Sequence, residues 1–71
     1  MNGKSKLQRA HEYAETVWDN VAAVTQDRTD EFKVILSRDH GTYRAVRLVG
    51  DIWQNYTARD RKFYDGNGWQ S

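Results

Sequence analysis

The sequence predicts an α+β fold, with one N-terminal amphipathic helix packed on one face of a three- to four-stranded antiparallel meander sheet. Three observations predict it. Apolar residues recur at helical spacing in the early part of the chain, and from Phe32 onward apolar and polar residues alternate with strand timing. Short turn sequences containing Gly or Asp then punctuate the strand part, and no proline interrupts it. A lone helix followed by a meander buries its apolar stripe by lying on one side of the sheet, which gives a two-layer domain.

Local signals set each element in turn. Residues 1–4 read as a flexible tail, and Ser5 with Gln8 three positions on has the form of a capping box. Leu7, Ala10, Ala14, Val17, Val21 and Val24 fall three or four residues apart, with Tyr13 and Trp18 beside the stripe, so a helix is expected over residues 5–24. Arg9, Glu12, Glu15 and Asp19 occupy its outer face. Residues 25–30 are polar and turn-like, and the sheet is expected over residues 31–70. Its first strand alternates Phe32, Val34 and Leu36 with Lys33, Ile35 and Ser37, and a loop over Arg38, Asp39, His40 and Gly41 leads into a second strand, Thr42 to Val49. Gly50-Asp51 turns into a third strand, Ile52 to Thr57, and residues 58–61 turn into Lys62, Phe63 and Tyr64. Asp65-Gly66 has the composition of a type I′ turn that folds residues 67–70 back, with Trp69 opposite Tyr64.

One helix can cover only one sheet face. The covered side is expected to hold Phe32, Val34, Leu36, Val46, Leu48, Ile52, Tyr56 and Phe63. The uncovered side is expected to show Tyr43, Arg47, Trp53 and Tyr64, together with Ile35. Aromatic and Arg side chains gathered on an open sheet face have the composition of an interface core, so these four are the candidate partner-binding residues.

Size and composition bound the function. A chain of 71 residues is one domain near the lower limit for a core stable alone, which makes homodimerisation a route to stability. It has no cysteine, so neither a disulfide nor a thiolate metal site exists, and a cytoplasmic location is expected. No apolar run reaches the ~20 residues a membrane span needs, and the N-terminal residues lack a secretory apolar region, so a soluble, unprocessed protein is expected with no membrane partner. Residues 1–31 carry four Lys/Arg against six Asp/Glu, net −2, whereas residues 32–71 carry seven against four, net +3. The sheet part is mildly basic, short of the clear excess of a dedicated nucleic-acid domain.

The chemistry of catalysis is thin. His11 lies one turn from Glu15, and His40 sits beside Asp39 in a loop, but neither has a nucleophile or a metal site near it in sequence. No His and carboxylate spacing fits a metal, and no Gly-rich loop opens a helix, so no catalytic residue, metal or cofactor is expected and the protein reads as a non-enzyme. Glu12, Glu15, Asp19, Asp27, Asp30 and Glu31 form a modest acidic strip that reads as a solvated face. Arg44, Arg47, Arg59, Arg61 and Lys62 beside aromatic strand residues are the candidate contacts of an alternative, nucleic-acid-binding reading. The motif Gly-x-x-Trp-Gln occurs at Gly50 to Gln54 and again at Gly66 to Gln70. It reads as coincidence: the first copy starts the strand that presents Trp53, and the second turns the chain at its end.

In size, absence of cysteine and helix-plus-antiparallel-sheet plan, the chain resembles the short accessory proteins of phages and mobile elements, among them anti-CRISPR proteins and other host-takeover inhibitors. The resemblance covers overall build and carries over no residues. It implies action by occluding a host complex, such as a CRISPR effector, in the host cytoplasm. The expectation is therefore a non-enzymatic binding protein whose partner is another protein. The alternatives are a small nucleic-acid-binding module and a homodimeric interaction protein.

Overall fold

A computed structural model of the chain describes residues 4–38 and 42–66. Ser5 caps the helix as its sequence signals: its side chain accepts from the Gln8 N–H, and the Gln8 carboxamide accepts from the Ser5 N–H, both at 3.1 Å. The helix, α1, runs Lys6–Val17 and is shorter than expected. Its last turn closes when the Trp18 N–H donates to the Ala14 carbonyl at 2.9 Å, and Trp18 itself is extended. Asn20 then takes a left-handed backbone, φ 63°, a conformation asparagine tolerates better than most residues.

Residues 21–28 form a strand that their helical spacing conceals. The order is β1 Val21–Arg28, β2 Glu31–Leu36, β3 Arg44–Val49, β4 Ile52–Thr57 and β5 Lys62–Asp65, five antiparallel strands adjacent in chain order. In β1, Val21 pairs with Leu36 and Val24 with Val34, with a bulge at Ala22 between them. A bulge adds one residue, so positions three apart land on the same sheet face. Val21 and Val24 thus keep a spacing that reads as helical while both point toward the core.

Two-residue turns set the register of two of the four strand pairs. Thr29-Asp30 joins β1 to β2, and Gly50-Asp51 joins β3 to β4. Gly50 has φ 61° and Asp51 does not, the φ pattern of a type II′ turn, which suits the twist of paired strands. Residues 58–61 connect β4 to β5, with the Asp60 and Arg61 N–H groups both donating to the Thr57 carbonyl. That loop pairs Tyr56 with Phe63.

α1 lies across β1 to β4 on one face of the sheet. Ala10 and Ala14, both fully buried, let the helix backbone approach closely. Beneath them lie Val24, Phe32, Val34, Leu36 and Val46, with Tyr13, Trp18, Val21 and Trp53 packed around the rim. Among the described residues, Phe32 and Val46 are the largest side chains removed completely from water. No helix among the described residues is long and apolar enough to cross a membrane.

The faces of β4 and β5 are the reverse of the expectation. Ile52, Tyr56 and Phe63 lie on the uncovered side, whereas Trp53 and Tyr64 lie on the side of the helix. The reason is the length of the Gly50-Asp51 turn. It pairs Val49 with Ile52 and Leu48 with Trp53, so each takes the face of its partner. Because successive side chains alternate, this parity then carries through Tyr56 to Phe63 and through Asn55 to Tyr64.

Candidate functional site

The uncovered sheet face holds a connected set of rings. Tyr43 meets Tyr56 edge-on with centroids 6.0 Å apart, and Tyr56 meets Phe63 at 4.9 Å. The Arg47 guanidinium carbon stands 3.6 Å over the centre of the Phe63 ring. Arg47 is also anchored along the sheet. Its Nε donates to Gln54 Oε1 at 2.7 Å, and Gln54 Nε2 donates to Asp65 Oδ1 at 2.6 Å. Stacking and hydrogen bonding together fix a side chain that would otherwise sample many rotamers, so the cation is preformed on an aromatic bed.

Aliphatic groups extend the patch. Ile35 is 40% exposed, Val49 49% and Ile52 37%, and Tyr43 is 42% exposed on the same face. The Tyr43 hydroxyl is held above the ordinary phenol value, first by partial burial and then by the nearby charges of Asp27 and Glu31 and by Tyr56, with Arg28 acting in the opposite direction. Tyr43 therefore remains a neutral hydrogen-bond donor across the physiological range.

Of the four candidate partner-binding residues, Tyr43 and Arg47 stand on this open face. Trp53 does not. Its ring stacks on Tyr13 at 5.9 Å and tilts against Phe32 at 5.9 Å, under the helix. Tyr64 lies on the helix side at the margin of the sheet, where it is exposed and Lys62 Nζ lies 5.0 Å from its ring centre. Sequence reasoning misses Tyr56 and Phe63 as site residues. The signal that would find them is the two-residue Gly50-Asp51 turn, which passes the parity of Val49 to Ile52 and so to both rings.

The basic set of the alternative reading disperses. Arg44 is buried on the helix side, with Nη1 3.4 Å from the Thr42 carbonyl it donates to. Arg47 faces the opposite way, Arg59 and Arg61 are exposed on the β4–β5 loop, and Lys62 is on the helix side. No single surface gathers them.

Tyr13, on the helix side, organises the buried polar contacts. Its hydroxyl accepts from Asn55 Nδ2 at 2.8 Å, and the same nitrogen lies 3.4 Å from the Tyr64 carbonyl. Burial raises the Tyr13 hydroxyl above its usual value, the Asn55 hydrogen bond lowers it, and Asp65 raises it. A raised phenol stabilises the fold fully below the unfolded value of about 10, and that stabilisation is lost as pH climbs through the folded value. Tyr13→Phe is expected to cost roughly 1 kcal/mol at pH 7, because Asn55 loses an acceptor. It should also flatten the loss of stability above pH about 10. Urea unfolding at pH 7 and at alkaline pH checks both, and an unchanged alkaline limb would show that Tyr13 is not the titrating group.

The histidines form no reaction centre among the described residues. His40 and Trp69 lie outside them, and so does the return of residues 67–70. His11 Nε2 is 3.3 Å from Glu15, beside an open depression of about 350 Å³ lined by Leu7, Gln8, His11, Glu12 and Val24. That lining offers one imidazole and one carboxylate and no hydroxyl or thiol nucleophile. Comparison of the chain with protein-family models, with curated proteins and with solved structures finds no match.

Proposed function

We propose that this protein is a non-enzymatic binding domain that acts through its uncovered sheet face, with Arg47 and the Tyr43, Tyr56 and Phe63 rings at the centre of the contact. The observation that carries the reading is the patch itself: aromatic, Arg and aliphatic side chains are contiguous on a sheet whose helix covers only the other side. Rings held rigidly beside a fixed Arg are the groups that most often dominate protein interfaces. A protein partner suits the face better than nucleic acid, because Lys33 and Arg47 share it with Glu31 and Asp65. A polyanion would meet as many acids as bases there. In a phage or mobile-element setting, such a surface would serve to occlude a host complex such as a CRISPR effector in the cytoplasm.

The test is affinity capture of the tagged protein from cells that encode it, beside a Tyr43→Ala, Arg47→Ala double variant. A protein retained by the wild type should be lost from the variant, with binding weakened at least ~30-fold if these side chains are interface anchors. Retention of every wild-type contact by a folded double variant would overturn the reading.

A further inference from the structure

We infer that the occupant of the open sheet face is a second copy of this chain, in a twofold dimer with the two sheets packed face to face. This rests on the reading of that face as a protein-contact surface and puts a second copy, in place of a host complex, as what it contacts.

Charge is the first argument. Under a twofold axis one patch must complement itself, so it has to carry both signs. The strand positions on this face hold Glu31, Lys33, Arg47 and Asp65, two of each sign. The β1–β2 corner near Tyr43 adds Asp27 and Arg28, again one of each. A partner of strong single charge finds no complementary field here, whereas an identical face does.

Size is the second. Five strands about 4.8 Å apart and about six residues long present a face of roughly 24 by 20 Å, or about 480 Å², before side-chain relief is counted. Two such faces together remove on the order of 1,000 Å² from water, the lower limit for a biological interface between proteins. The geometry of a sandwich also suits the patch. Side chains of Ile35, Val49 and Ile52 stand out from the sheet, and stacked sheets close over such side chains at about 10 Å separation. The buried core of the single chain is small, with Phe32 and Val46 its only large side chains fully removed from water among the described residues. A second apolar layer is what a domain of this size gains from pairing.

Sedimentation velocity across a micromolar to millimolar concentration series tests this on the full chain. The wild type is expected to pass from monomer to dimer, with a melting temperature that rises with concentration. Ile35→Lys should weaken dimerisation at least about 30-fold while leaving the circular dichroism spectrum unchanged, since Ile35 is already open to solvent. Should that variant fold poorly, Ile35→Thr combined with Val49→Thr keeps the β-branched side chains and should also loosen the dimer. A wild type that stays monomeric to about 1 mM, or folded variants that dimerise as tightly as it does, overturns the inference. In the monomeric case, loss of a captured heterologous protein by Ile35→Lys leaves the sheet face standing as a contact surface and removes only the second copy. Retention of that protein removes both.

Discussion

Trp53→Ala is expected to destabilise the protein by about 2–4 kcal/mol, toward the lower end for aromatic truncation because Trp53 is partly buried against the core. Trp53 is sandwiched between Tyr13 of α1 and Phe32 of β2, with both ring pairs at 5.9 Å, so its removal opens a void under the helix. It also frees Tyr13 to move, which loosens the Asn55 hydrogen bond at 2.8 Å. A small domain has a total stability on the order of 5 kcal/mol, so this one substitution should remove much of it. Urea unfolding followed by far-ultraviolet circular dichroism measures it. Trp53→Phe should fall between wild type and Ala. If the Ala variant melts with the wild type, Trp53 is not a core residue.

Gly66→Ala is the second large effect, at about 1–3 kcal/mol from overpacking. A Cβ at Gly66 would sit 2.5 Å from Tyr13 Cε1 and Oη and 2.8 Å from Cζ. The end of a tyrosine could often swing aside. Here it is held by the stack on Trp53 and by the bond from Asn55, so the clash is not relieved cheaply. In a Tyr13→Ala background the same change should cost less than about 0.5 kcal/mol, and a double-mutant cycle reads that coupling. Gly50→Ala offers the contrast. Nothing lies within 4 Å of its Cβ position, and its cost of about 1 kcal/mol should come from the left-handed backbone alone and persist in the Tyr13→Ala background.

The two glycines of the Gly-x-x-Trp-Gln segments therefore differ in physical cause. Gly50 is required by φ 61°. Gly66 does not take the left-handed backbone that a type I′ turn would demand of it, and it is required by the ring of Tyr13. The Trp of the first segment, which the sequence suggests is a presented side chain, packs against the core beside the ring that Gly66 meets.

Features that depend on neighbours in the chain are legible in the sequence. The Ser5–Gln8 cap, the strands at β2 to β5 and the pairing of Tyr56 with Phe63 all follow from local composition and loop length. Features that depend on counting across a turn or a bulge are not. Val21 and Val24 look helical because one extra residue at Ala22 restores them to one face. Trp53 and Tyr64 read as open-face residues when Leu48 is grouped with Ile52, although a two-residue turn groups Val49 with Ile52. Tyr43 and Arg47 read correctly because both precede that turn.

The bulges of β1 also bear on how large an assembly can grow. An exposed outer strand offers its free N–H and C=O groups to any other chain, and pairing of that kind can propagate without end. Register shifts fall near both ends of β1, and only Ala23 to Gln26 keep continuous pairing between them. So short a straight run is a poor template for another strand, and growth through the β1 edge is disfavoured. Two copies that meet sheet to sheet would form instead a closed assembly of defined size.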